Sequence, residues 1–183
     1  MTTAEALMTA EEFGQRLDSG QPEELVQGQV VTMPPPDRRH RYVCQRATRL
    51  LGNWVEERNL GRVMSNDSAV ITGRDPDTVR GADVAYYSYA RLPRGPLPSG
   101  YGKEVSELVV EVLSAHDRWN DVLEKVLEYI RAGVLVVVVL DPEATTAYVY
   151  PADAAPRVLG PEQELTLPGL LDGFSARVSR WFE

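Results

Sequence analysis

The stretch that decides the fold is ELVVEVLSAHDRWNDVLEKVLEYIRAGVLVVVVLD, Glu107 to Asp141. It begins with a short apolar run, Glu107 to Leu113, passes into a helical pattern from Asp117 to Ala132 closed by Gly133, and ends in seven consecutive apolar residues, Val134 to Leu140. Apolar runs of that length, bounded by turn signals, fit strands buried on both faces. A strand, helix, strand order of this size is the right-handed crossover that joins parallel neighbours in one sheet. The chain therefore reads as α/β, a mixed central β-sheet flanked by α-helices.

One residue in that first strand does not belong to a plain core. Glu111 stands among Val109, Val110, Val112 and Leu113. A carboxylate there must be protonated, paired or bound to a cation, because burying an isolated charge costs at least several kcal/mol. Magnesium or manganese takes oxygen ligands, one or two carboxylates with a carbonyl, water and substrate phosphate. Asp83, at the head of DVAYY, with Glu111 and the backbone carbonyl of Val112 makes such a set. On the following helix Lys125 falls at the edge of the apolar arc, where its stem can lie along the sheet and its ammonium can reach the acids. An ammonium so placed can orient the attacking water or stabilise charge on phosphorus, and arginine is a poorer choice there because it cannot lose its proton.

Working outward, Thr9 with Glu12 reads as a capping box opening a helix that stops near Ser19-Gly20. Glu24 to Met33 reads as a hairpin about Gly28, ended by Pro34-Pro35-Pro36. Asp37 reads as the N-cap of the longest helix, whose apolar residues recur at Val43, Ala47, Leu50, Leu51, Trp54 and Val55 up to Asn59 and Gly61. Gly61 to Thr72 reads as two short strands joined at Asn66-Asp67, and Asp83 to Tyr87 as another. Ser88 to Glu104, with three prolines and three glycines, is a long loop of functional or mobile type. Beyond the crossover, Thr145 to Tyr150 pairs antiparallel, and Glu164 to Leu167 precedes a short helix around Phe174 to Phe182. The 183 residues suit one domain: an N-terminal helix within 1–22, a core at 24–150 and a C-terminal extension at 151–183.

Composition bounds the function. A net charge of -8 argues against binding nucleic acid or anionic membrane through bulk electrostatics, so any contact with a polyanion must be local. The 19 basic residues comprise 17 arginines and two lysines, Lys103 and Lys125. Seven of the arginines, including Arg38, Arg39 and Arg41, lie between Asp37 and Arg62 against three acids, a local charge of plus 4 that reads either as a solvated helix face or as a phosphate-contacting patch. A single cysteine, no apolar run near the roughly 20 residues that span a bilayer and no basic, apolar leader fit a soluble cytoplasmic protein.

ELVQGQVVTMPPPDRRH, ADVAYY, the crossover unit and VVLDPEATTAYVY, in that order and spacing, resemble the Uma2 family of endonuclease-like proteins, the former domain of unknown function 820, in the PD-(D/E)xK nuclease superfamily. The resemblance spans about Glu24 to Tyr150 and implies a restriction-endonuclease-like fold with magnesium- or manganese-dependent cleavage of DNA phosphodiesters. It implies that Asp83 and Glu111 take the metal-ligand positions, that Lys125 is the superfamily lysine displaced from strand to helix, and that Glu24 is the N-terminal acid. His40 and Asp121 match further recurring positions. Where the family usually carries proline this chain has Ala82 and Ala115, neither of which removes a metal-binding side chain. Enzymes of this architecture often pair two subunits to cut two strands, so a homodimer is expected, with Trp119, Tyr129 and Val134 to Val139 as core or dimer surface.

Plainer readings stand beside these. Asp83 can cap a strand end in solvent; Glu111 and Lys125 can form a metal-free ion pair; Glu24 can be a solvated edge charge; Asp121, four residues before Lys125, can simply orient it. His40 reads as a surface or phosphate-contacting residue, His116 as structural or exposed, and Cys44 as a small buried hydrophobe. Neither histidine shows a partner at metal-ligand spacing, which argues against zinc. The alternative to a DNA endonuclease is a non-catalytic nucleic-acid-binding or assembly module that keeps the nuclease fold. A phosphoesterase acting on nucleotides or RNA would use the same residues.

Overall fold

The computed structural model describes residues 7–17, 19–97, 100–115 and 117–183. Its first elements follow from local chemistry. Thr9 and Glu12 form the reciprocal capping box of α1 (Ala10–Gly14), a single turn that ends earlier than the sequence pattern indicates. β1 (Glu23–Val26) and β2 (Gln29–Thr32) make a hairpin whose two turn residues, Gln27 and Gly28, both have positive φ, the geometry that matches the twist of the strands. The Asp37 side chain accepts the His40 N–H and starts α2 (Arg38–Glu57), which buries Val43, Ala47, Leu51 and Val55 along one face.

After α2 the chain turns at Gly61, where a Cβ would lie 2.1 Å from the Tyr87 carbonyl oxygen, so only glycine allows this approach. It then forms β3 (Gly61–Gly73) and β4 (Thr78–Ser88), antiparallel over almost their whole length. This corrects the expectation of two short strands joined at Asn66-Asp67. Those residues, at φ 69° and 56°, are a bulge inside one strand, with the register shifting between Ser65 and Ser68. Asn and Asp tolerate the left-handed region, and that same preference makes them resemble turn residues in the sequence.

The crossover unit forms as its pattern indicates: β5 (Leu108–Val112), α3 (Trp119–Ala132) closed by left-handed Gly133, then β6 (Val136–Asp141) parallel to β5 with Glu111 beside Val139. β7 (Thr146–Pro151) pairs antiparallel with β6, and β8 (Arg157–Leu159) adds a further edge strand within the Pro-rich segment. β9 (Glu164–Leu167) pairs with β10 (Leu171–Arg177) in a separate ribbon, and only Val178–Trp181 forms a 3-10 turn. The expected helix around Phe174 is thus mostly strand. Alternating burial of Phe174, Ala176 and Val178 is a period of two, and this outweighs helical propensity in so short a segment.

The main sheet is mixed, in the order β2-β1-β4-β5-β6-β7-β8, with β3 also on β4. Helix α2, Phe174 and Trp181 cover one face, and Val122, Val126 and Tyr129 of α3 cover the other. Replacing a fully buried contact such as Leu51 by alanine costs about 2–5 kcal/mol. Among the described residues no helix is long and apolar enough to cross a membrane.

The site depends on one topological detail. β3 takes one edge of β4 throughout, so β1 and β5 must share the other: β1 meets it at Val79, and β5 meets it from Val84 to Tyr86. Between those contacts the edge is forked, and Arg80, Gly81, Ala82 and Asp83 face a gap that no strand fills. Side chains and loose backbone groups from three strands and α3 fill it.

Candidate active site at the strand fork

The gap opens into a cavity of about 150 Å³ whose lining includes Glu24 from β1, Asp83 from β4, Glu111 and Val112 from β5, Lys125 from α3 and His40 from α2. Four acids and bases singled out in the sequence, Glu24, Asp83, Glu111 and Lys125, therefore meet. None of the three acids is solvated: Glu24 is 4% exposed, Asp83 8% and Glu111 9%. The readings of Glu24 as a solvated edge charge and of Asp83 as a cap in solvent are set aside on this ground.

Glu24 is saturated with donors. Its Oε1 accepts from Lys125 Nζ at 2.8 Å and from the Gly81 N–H at 3.2 Å, and its Oε2 accepts from Arg80 Nη1 at 2.8 Å. Arg80 in turn makes a fork-to-fork pair with Glu128 of α3, at 2.6 and 2.9 Å. Desolvation alone would raise the pKa of Glu24, but the charges of Lys125 and Arg80 outweigh it and the net shift is downward. Burial likewise opposes a charged Lys125, yet Glu111 and Glu24 hold its pKa above the ordinary lysine value. The ammonium is thus kept charged, which corrects the expectation of a lysine chosen because it can lose its proton. Lys125 is oriented by Glu24, not by Asp121, which is exposed in the first turn of α3 and whose side chain makes no hydrogen bond or ion pair among the described residues. The metal-free ion pair of Lys125 is formed with Glu24, not with Glu111.

Glu111 has the opposite surroundings. Its Oε1 accepts the buried Tyr129 hydroxyl at 2.7 Å. Desolvation drives its pKa up; Lys125 opposes and nearby Asp83 reinforces, and the result is pushed up to about 8. Asp83 Oδ2 accepts the Val112 N–H at 2.7 Å and lies 3.3 Å from His40 Nε2. Burial lowers the tendency of His40 to protonate, but the hydrogen bond and charge of Asp83, with Glu111, raise its pKa overall. His40 is therefore a partner of the acid pair and not a surface residue. Asp67, on the β3 bulge, also lines the cavity, and desolvation with the charge of Asp83 raises its pKa.

The arginine patch divides. Arg39 donates to the Pro142 carbonyl, Arg46 to the Arg180 carbonyl, Arg58 stacks 3.3 Å over the Trp54 ring, and Arg62 donates to the Gly95 carbonyl at 2.5 Å. Arg41, whose Nε donates to the Pro36 carbonyl at 3.2 Å, and Arg49 line a second, larger cavity of about 640 Å³ that shares His40, Asp67 and Asp83 with the first. Arg38 is exposed at the start of α2. Of the three phosphate-contacting candidates, Arg39 and Arg41 are both engaged with backbone carbonyls, and Arg41 is the one beside the site. The loop after β4 is tied down by Arg91, which donates to the Val105 and Gly133 carbonyls, and by Arg94 on Asn59. His116 lies outside the described residues.

Sequence reasoning missed Arg80, Tyr129 as a site residue, Asp67 and the contact of Cys44, whose Sγ is 3.5 Å from His40 Nδ1 in a half-buried position. Tyr129 had a usable signal, since it lies one turn beyond Lys125 on the same helix face. Arg80 had none, because its role exists only once β1 and β5 part. The hard oxygen donors of Asp83 and Glu111 suit a magnesium-like cation, and the raised pKa of Glu111 marks a position short of positive charge.

Comparison with known proteins agrees with this architecture. The model of the Uma2 family, described as "Putative restriction endonuclease", matches residues 10–179. A crystal structure titled as a putative nuclease belonging to DUF820, from Anabaena variabilis ATCC 29413, superposes with a TM-score of 0.83 at 18% identity, covering 96% of this chain and 97% of that one. At that identity the likeness concerns the fold, which is the mixed α/β fold of that nuclease structure. No curated protein matches the chain.

Proposed function

The chain belongs to the Uma2 family, and from that premise we propose that it is an endonuclease that hydrolyses DNA phosphodiester bonds with magnesium or manganese held by Asp83, Glu111 and the Val112 carbonyl. The observation that carries this reading is the buried Glu111, set beside Asp83 at the open fork with its pKa pushed up to about 8. A proton or a cation must satisfy it, and the donors around it are oxygens. Because a strand residue presents its N–H and C=O toward the same neighbour, the Val112 carbonyl faces the same side as the N–H that binds Asp83. A cation there would supply a water of lowered pKa and polarise a phosphoryl oxygen.

The remaining residues act on the substrate and on one another. Lys125, kept charged by Glu24, donates to a phosphate oxygen and stabilises negative charge developing on it; it does not serve as a base. Glu24, anchored by Arg80, is the residue that positions the ammonium. His40 and the Val112 N–H hold Oδ2 of Asp83 in place. Arg41 and Arg49 offer the adjoining cavity to backbone phosphates, which positions a strand without reading its sequence. Two copies acting together would cut both strands of a duplex.

A second reading, a nucleic-acid-binding module without catalysis, is favoured by the completeness of the Glu24, Lys125, Arg80 and Glu128 network, which is satisfied with no metal. Cleavage of single-stranded, double-stranded and branched DNA in magnesium or manganese separates the two. We expect metal-dependent cleavage that falls at least about 100-fold in Glu111→Ala, the order lost when one electrostatic stabiliser is removed. Wild-type activity no greater than that of the variant on every substrate would leave the binding module.

A further inference from the structure

We propose that His40, Cys44 and Asp83 form a second cation site, suited to a borderline or soft transition ion such as zinc or cobalt. His40 and Cys44 lie four residues apart on α2, so their side chains stack one turn above another on the face that meets β4. Cys44 Sγ is 3.5 Å from His40 Nδ1 and Asp83 Oδ2 is 3.3 Å from His40 Nε2, the two nitrogens of one imidazole, of which a single ion takes only one. With one donor atom taken from each residue, the three atoms all lie within 4.8 Å of one another. A tetrahedral zinc with Zn–S near 2.3 Å and Zn–N or Zn–O near 2.0–2.1 Å sets its ligands roughly 3.3–3.6 Å apart. Closing the triad on an ion therefore needs a contraction of about 1 Å, which small rotations of the cysteine and imidazole side chains supply.

Two features separate this triad from the hard-ion position, and a third supports it. Its sulfur and imidazole donors select zinc, cobalt or copper over magnesium. All three residues line the larger cavity on the α2 side, so an ion has a route in and a fourth position open to water. The N–H of Val112 already fixes one Asp83 oxygen from behind, the outer-shell support that ligating carboxylates receive. Asp83 is common to both positions. A soft ion bound here takes that carboxylate from magnesium, so zinc inhibits the hydrolysis proposed above; this consequence rests on that reading, while the site itself does not.

Cobalt(II) is a direct probe, because Cys44 is the chain's single cysteine and any thiolate-to-cobalt charge-transfer band must come from it. Reduced protein titrated with cobalt, without magnesium, is expected to show that band and the intense visible bands of a four-coordinate ion, saturating at one equivalent. Cys44→Ser should abolish the charge-transfer band. His40→Ala and Asp83→Asn should each weaken cobalt binding at least about tenfold, and Glu111→Ala should leave the band in place, with circular dichroism confirming that each variant folds. A wild type without the band overturns the proposal. So does a band whose affinity is unchanged in both His40→Ala and Asp83→Asn, since the thiol is then bridging molecules. The band is read without any turnover, so a positive result in a protein that cleaves nothing keeps this site and discards the nuclease reading.

Discussion

Glu24 and Glu111 are the same residue type, 4% and 9% exposed, on strands that border one gap, yet their pKa values move in opposite directions. Glu24 is hydrogen-bonded to Lys125 and Arg80 and is held below the ordinary range, whereas desolvation carries Glu111, bonded to a tyrosine hydroxyl and near a second acid, up to about 8 although the charge of Lys125 opposes it. Desolvation raises both, and at Glu24 the hydrogen-bonded cations outweigh it. One side of the fork is electrostatically complete and holds β1, β4 and α3 together; the other is short of a positive charge. A site that must stay folded before its cation arrives, and still attract one, gains from this division.

The contrast can be broken most forcefully at its closed side. Glu24→Ala takes the hydrogen-bonded carboxylate from Lys125 and leaves Arg80 with Glu128 alone, and removing one member of a buried pair costs about 3–5 kcal/mol. Urea unfolding of the metal-free protein should show that loss, and a change within about 0.5 kcal/mol would mean that the network is not holding the fork.

The open side should respond to pH, and with opposite sign. Glu111 has a folded pKa near 8 against an ordinary 4.5, so between those values the unfolded chain has released a proton that the fold retains. Metal-free stability therefore falls as pH rises from about 4.5 to 8, and Glu111→Gln should flatten that slope and leave the variant as stable as wild type or more so at the upper end. Glu24, with its pKa lowered, contributes stability above 4.5 that is lost as pH falls below it. Parallel unfolding series for the wild type, Glu111→Gln and Glu24→Gln test both signs. A slope unaltered by Glu111→Gln would show that Glu111 is not the proton holder.

The smallest effect is expected outside the network. Asp121→Ala, exposed on α3, should alter stability by no more than about 0.5 kcal/mol and leave the thermal midpoint nearly unchanged. A larger loss would return Asp121 to the role of orienting Lys125.

What was legible in the sequence was what depends on local pattern. The two apolar runs around Asp117 to Ala132 identify the crossover, and one acid among valines identifies Glu111 because nothing in a plain core explains it. What was illegible depends on the parting of β1 and β5. Arg80 is unremarkable in TVRGADV until β1 brings Glu24 and α3 brings Glu128 to it. The Asn66-Asp67 bulge looks like a turn because bulges and turns use the same residues. The expectation that neither histidine has a metal-ligand partner overlooks Cys44, one helical turn from His40, because their third partner, Asp83, comes from a strand that only the fold sets beside them.

On the proposed reading, the open side of the fork holds a hard cation. Crystals soaked in manganese, with data collected for anomalous scattering, test it most directly. One peak is expected between the carboxylates of Asp83 and Glu111 and adjacent to the Val112 carbonyl, absent from Glu111→Gln crystals treated the same way. No peak there, or a peak that survives in Glu111→Gln, would contradict it.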